Sequence, residues 1–428
     1  MRKSIILLLG AATVFTACNG VMPHAVKTLT LTSEEQVINA QQNAFAIDLL
    51  KQVNATETES ENVFLSPLSA AIVSAMLANG AEGNTLNQIL ATIGAEGYSV
   101  NDLNEYYKNI LENLPYLDKY TDMKLADGIW IDDDFNVKND FVKANKQYYK
   151  ATVETANLAD PKMANVINKW AENNTKHLIK KIVSENDFTS ETYMILANAI
   201  YFMSKWQNEF NKANTQDKDF MLADGTSVLV SMMEQSGERT TTPDADYEQT
   251  GFYEYQRIDS TEFEARMLRL YFKEAAYCVD FILPRKDISC DAYLADFDLD
   301  KMTELQNNLN RYCLQIEIPK FSLKYHRDLI PDMQALGMTD VFSSQADLTG
   351  IADQDLLVSQ LVQDAYIKLE EEGVKAAAVT HGIVAPSAAE PGQTISPFVA
   401  DRPFLLFIRE CKYGTILFAG KIGHPETK

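Results

Sequence analysis

The sequence predicts a single mixed α+β domain, and three observations carry that prediction. No Pro-, Gly- or Ser-rich linker and no internal repeat divides residues 33–425. Helical and strand-like periodicities alternate along that stretch. The chain closes on two apolar runs, Phe404–Ile408 and Thr415–Ile422, flanking Lys412-Tyr413-Gly414, the pattern of a hairpin of buried strands. Single cores usually stop growing at about 250–300 residues, so the 428 residues here would favour a split on length alone. The missing boundary outweighs that prior. A composition of 46% hydrophobic and 23% charged residues supplies ample apolar material for a large core.

Taken in order, the N-terminus reads as an export signal. Arg2 and Lys3 precede an apolar run, Ile5 to Phe15, followed by Thr16-Ala17-Cys18. The run is too short to span a membrane, which takes about 20 apolar residues. Small residues just before Cys18 resemble a bacterial lipobox. That resemblance implies a signal peptide over 1–17, cleavage before Cys18 and lipidation of that cysteine, hence an exported lipoprotein of the cell envelope or surface. Residues 18–32 read as a polar tether. Ser33-Glu34-Glu35-Gln36 reads as a capping box, with Ile38, Phe45 and Leu49 following on one helical face. Ser66-Pro67 is a second helix start, a Ser cap with Pro at the first helical position, and Asn79-Gly80 ends that helix. Ile167–Ile179 has a helical pattern. Tyr193–Phe202, Ala276–Leu283 and Leu314–Ile318 read as strands.

The net charge is −22. A polyphosphate would be repelled by that field, which excludes nucleic acid as a partner class. Beyond Cys18 the cysteines are Cys278, Cys290, Cys313 and Cys411, with no CxxC and no histidine at ligand spacing, so no metal site is predicted. They read as buried small hydrophobes, and a Cys278–Cys290 bridge stays open in an exported protein.

Residues 370–403 behave differently. They begin Glu370-Glu371-Glu372-Gly373 and turn proline-rich at Pro386, Pro391, Pro397 and Pro403. Loops that long within compact domains are usually functional or disordered. From Val374 to Ala385 there is no proline, so each residue can donate to a β-ladder. The even positions, Val374, Ala376, Ala378, Thr380, Gly382 and Val384, are small or apolar; Lys375 and His381 fall on the odd set. A strand alternates faces with period two, so this stretch can enter a sheet with the even set inward.

These residues resemble the hinge of the inhibitory serpins: Glu371-Glu372-Gly373 followed by Ala376-Ala377-Ala378. The resemblance runs along nearly the whole chain. It includes Asn62-Val63-Phe64-Leu65-Ser66-Pro67-Leu68-Ser69, then Leu196–Phe202 with Lys205-Trp206, then Val230–Met233. It continues through Ile318-Pro319-Lys320-Phe321 and Ala346–Gly350, and closes with Asp401–Phe404 and Phe418–Ile422. Seven segments in order make it specific. It implies the serpin fold over 33–428: three β-sheets, eight or nine helices and an exposed reactive-centre loop at about 371–400.

The implied function is a suicide-type inhibitor of serine endopeptidases that traps the acyl-enzyme by inserting its cleaved loop into the main sheet. Such a protein is not an enzyme, has no cofactor, is a monomer, and has the target protease as its partner. Family counting from Gly373 puts the scissile bond between Ser387 and Ala388, with Val384-Ala385 and Ala388-Ala389 as alternatives. Small residues there imply an elastase-like target, since residues 382–397 contain no Arg or Lys. The hinge comprises Glu371, Glu372, Gly373, Val374, Lys375, Ala376, Ala377, Ala378, Val379 and Thr380. Trp206, Lys320 and Glu371 match the place where the strand first enters, and Lys320 and Glu371 are expected to pair. Ser66, Ser69, Asn198 and Gln363 match a polar cluster under the centre of the sheet. The chain departs from the common pattern at Gln363, where many serpins have His, and at Val374 and Lys375. A non-inhibitory serpin acting as binding protein or chaperone is the alternative. A hydrolase is the rival from another class; its case fails on His24, His177, His326, His381 and His424, none in a catalytic motif.

Overall fold

A computed structural model describes residues 25–58, 60–236, 253–255, 264–312, 315–374 and 397–426. Among them are nine α-helices and three sheets. Cys18, Cys313 and residues 375–396, with the predicted scissile bond, lie outside the described residues.

The six-stranded sheet positions the site. Its order across the sheet is Phe321–Asp328, Gln360–Glu370, Gly373–Val374, Met194–Lys205, Asp122–Asp132 and Thr152–Ala156. The strand Met194–Lys205 is covered on both faces, which explains its continuous apolar run. Ile195, Ala197 and Ala199 pack with Ala164, Ile167 and Ala171 of the helix Met163–Asn174. Met194, Leu196, Ile200 and Phe202 belong to the main core on the other face.

On that core face lies the helix Pro67–Ala78, all of whose residues are buried. Ser66 caps it as the sequence predicts, its side chain accepting the Ser69 N–H at 3.3 Å. Pro67 sits at the first turn, where no N–H is needed. The predicted C-terminal hairpin is also present: Phe404–Glu410 pairs antiparallel with Ile416–Ile422, in a seven-stranded sheet with Tyr277–Pro284. A four-stranded sheet, which holds Gln315–Pro319, completes the set.

Two predicted elements differ in their bounds. The first helix, Ser33–Thr56, is capped by Thr32 rather than Ser33, because Glu35 then falls at the third position and closes the box in both directions. Residues just before it also pack: Leu29 and Leu31 are buried, and Lys27 N–H donates to the Tyr116 carbonyl. The helix predicted over Ile167–Ile179 spans Met163–Asn174, and positive φ at Lys176 and His177 stops it from continuing. Cys278, Cys290 and Cys411 are free thiols, so no Cys278–Cys290 bridge forms. Burial pushes the Cys290 thiol up to about 12. No helix among the described residues is long and apolar enough to cross a membrane.

Candidate functional site: the mouth and seam of the main sheet

The strands Gln360–Glu370 and Met194–Lys205 pair directly, in parallel, from Gln360 to Tyr366 against Ile195 to Tyr201. Beyond that stretch they part. Gly373 and Val374 sit between them, antiparallel to both: Val374 opposes Leu369 on one side and Ser204 on the other. The hinge glycine is required there. Its φ is +146°, and a β-carbon would overlap the Ser204 carbonyl oxygen. Val374 is buried in the main core, the face that the sequence predicts for the even-numbered set.

The residues expected at the mouth are brought together. Trp206 stacks on Phe272 with centroids 4.8 Å apart and donates its indole N–H to the Glu370 carbonyl at 2.9 Å. The Glu371 side chain is only 4% exposed and takes donors from two sides. Lys320 Nζ reaches Oε2 at 3.0 Å, and the Thr215 hydroxyl donates to Oε1 at 2.9 Å. Burial alone would raise the Glu371 carboxyl. The hydrogen bonds from backbone, Lys320 and Thr215 outweigh it and hold the group below its ordinary value. Sequence reasoning missed Thr215, as well as Lys212, which pairs with Glu372 at 2.7 Å. It also missed Phe210, whose N–H donates to the Glu371 carbonyl. No motif marks these three; only the fold brings them to the mouth.

Ser66, Ser69, Asn198 and Gln363 also gather, under the middle of the sheet, and all are buried. Gln363 is tied to Ser66 by two bonds: it accepts the Ser66 N–H at 2.8 Å and donates Nε2 to the Ser66 carbonyl at 2.9 Å. A residue that sequence reasoning did not single out joins them: Asp127, whose Oδ1 accepts from Asn198 Nδ2 at 2.7 Å. The signal was available. Met123, Leu125, Asp127, Ile129 and Ile131 share one strand phase, with a single carboxylate in an apolar row.

His177, His326 and His424 face Glu172, Asp364 and Glu61. Among the described residues none of them shares a hydrogen bond with a serine or cysteine side chain. Asp132, Asp133 and Asp134 could meet at a cation, although Asp132 already accepts backbone N–H groups of Leu158 and Asp134.

A family model described as serpin (serine protease inhibitor) matches residues 40–425. The chain belongs to the serpin family. It is 30% identical to human neuroserpin over 386 residues, covering 89% of this chain and 90% of that protein. A serpin-like protein of Methanosarcina acetivorans is 29% identical over 421 residues, 94% of this chain and 93% of that one. Among solved structures, Serpin48 of the insect Tenebrio molitor aligns with a TM-score of 0.79 at 26% identity, covering 92% of this chain and all of the other. The thermophilic serpin tengpin, in its native state, aligns at 0.78 and 26%, covering 95% and 97%. Uncleaved ovalbumin aligns at 0.78 and 23% identity, covering 91% of this chain and all of that one, which speaks to fold alone. The architecture, nine helices among the described residues and three sheets, is the serpin fold.

Proposed function

We propose that this serpin is a single-use inhibitor of elastase-like serine endopeptidases. The observation that carries the reading is the seating of Gly373 and Val374 as the first rungs of a strand whose remaining track is closed only by a parallel pairing. Continuing that register, each step along the loop is one step back along both neighbours. Position 380 then falls opposite Asn198 on one side and Gln363 on the other. Position 384 reaches Met194, where the neighbouring strand begins, and Pro386 falls beyond it. The proline-free stretch therefore matches the track in length.

The chemistry follows from the trapped bond. The protease serine oxygen attacks the Ser387 carbonyl carbon, the Ser387–Ala388 peptide bond breaks, and the Ala388 nitrogen leaves with a proton. An ester now links protease to loop, and the loop is cut free of its C-terminal tether. Insertion replaces one parallel pairing by two antiparallel ladders, the more stable pattern per residue. A net gain of about ten hydrogen bonds at about 1 kcal/mol each is a driving force on the order of 10 kcal/mol. Small residues at and around Ser387 suit a narrow protease pocket. The same proposal puts the inhibitor at the cell envelope, held by lipid on Cys18.

Incubation with an elastase-like protease should give a covalent complex that survives denaturing electrophoresis. Chain nicked in the loop should melt far above intact chain. Nicked and intact chains melting together, with no complex formed, would overturn the reading.

A further inference from the structure

The polar row under the sheet is split along the seam. Asp127, Asn198 and Gln363 stand at matched register on three strands and face the helix Pro67–Ala78. Asn198 bonds to Asp127 on its own side, and Gln363 bonds to Ser66 on the other. No hydrogen bond joins the Asn198 and Gln363 side chains, and Asn198 Oδ1 and Ser69 Oγ are buried without a partner. Opening the sheet at this level therefore breaks backbone pairing and leaves both side-chain sets intact. Asp127 lies one strand from that opening.

Asp127 is poorly provided for in the closed sheet. Asn198 is its one hydrogen-bond donor among the described residues. The helix packed on its face carries no ionisable side chain, and its same-face neighbours are Leu125, Ile129, Leu196 and Ile200. On the other elements against this strand, Glu154, Lys169 and Glu172 lie on or toward the opposite face. Tyr116 and Tyr201 lie toward the Asp122 end. None of these supplies a compensating charge.

Building on the inhibitor reading, we propose that Asp127 is a positioning residue for loop insertion: losing its proton weakens the closed sheet and speeds entry of the strand. Burial pushes its carboxyl up to about 7, the Asn198 bond offsetting only part of this. In a parted, wetted sheet the group returns toward its ordinary value of 3.8. Opening thus releases a proton. It is favoured as pH rises between those two values and levels off above the higher one, by at most about tenfold per pH unit.

The test follows insertion without a protease. A synthetic peptide with the sequence of residues 374–385 is added to intact full-length protein at pH 5.5 to 8.5, and its incorporation is timed by native electrophoresis. Wild type is expected to incorporate it several-fold faster at pH 7.5 than at 5.5, with a plateau above. Asp127→Asn should lack that rise and keep only the slope that the peptide's histidine gives. The peptide's own histidine is common to both proteins and cancels in the comparison. Should Asp127→Asn not fold, Asp127→Ser takes its place as the neutral variant. Incorporation with one and the same pH profile in wild type and neutral variant would sink the role of Asp127 and leave the inhibitor reading standing. No incorporation at any pH, together with no covalent protease complex, would sink the inhibitor reading and this inference with it.

Discussion

The mouth and the centre of the seam are held by opposite means. At the mouth, side chains bridge the gap: Glu371 is gripped by Lys320 from one flank and Thr215 from the other, while Trp206 holds the Glu370 carbonyl and Lys212 holds Glu372. At the centre, side chains avoid the gap, Asn198 turning to Asp127 and Gln363 to Ser66. Resistance to opening is concentrated at the mouth. The mouth acts as a latch of directed bonds, several of them to charged groups and so worth more than neutral ones. The centre is backbone pairing that can part without rearranging a side chain.

The most severe loss is expected from a charge placed at the centre of the seam. In the proposed register position 380 arrives between Asn198, whose Oδ1 has no partner, and Gln363, which is tied to Ser66, a place where a hydroxyl fits and a charge does not. Thr380→Arg should turn the inhibitor into a substrate: cleaved chain accumulates on denaturing gels and the covalent complex drops to near nothing, because a buried unpaired cation costs several kcal/mol. A complex that persists in this variant would refute the assignment of the even positions to the inward face.

How much of this was legible in the sequence depends on whether a residue's role is local. The Ser66-Pro67 start was legible because a capping hydroxyl and a proline tolerated at the first turn act within one turn of chain. The strand Met194–Lys205 was legible because double-sided burial writes itself as an apolar run. Trp206, Lys320, Glu371, Asn198 and Gln363 were reached only through family resemblance, since their partners lie far away in the chain. The cap at Thr32 was off by one residue because Thr32 and Ser33 are both competent caps, and only the position of Glu35 decides between them. Thr215 and Lys212 carried no pattern at all. Asp127 did break its apolar phase, yet nothing local says that its partner would be an amide on the next strand.

A middling effect sharpens the view of the mouth as latch. Lys320→Ala leaves Glu371 buried with Thr215 as its remaining side-chain donor, and loss of a charged hydrogen bond is worth about 1.5–3 kcal/mol. The variant should lose inhibitory activity faster on mild heating, as the loop inserts uncut, measured as residual complex formation against time. The pH dependence has a definite sign. Glu371 is held below its ordinary value of 4.5, so its contribution is present above that value and is lost as pH falls through the lower, folded one. Wild type and Lys320→Ala should therefore converge in half-life in acid and diverge at neutral pH. Equal half-lives at neutral pH would remove Lys320 from the latch.

The smallest effect tests whether the centre is split as drawn. A double-mutant cycle on Asn198→Ala and Asp127→Ala should show a coupling energy of about 1 kcal/mol or more in denaturant unfolding, because a direct hydrogen bond joins the pair. The cycle on Asn198→Ala and Gln363→Ala should return about 0.5 kcal/mol or less, although these two residues are direct register partners. Proximity is the same kind in both cycles, one strand to the next, so packing contributes to each. What differs is the hydrogen bond. If the second coupling matched the first, the two halves would be held together at the centre by their side chains, and the seam would have to be regarded as latched along its whole length.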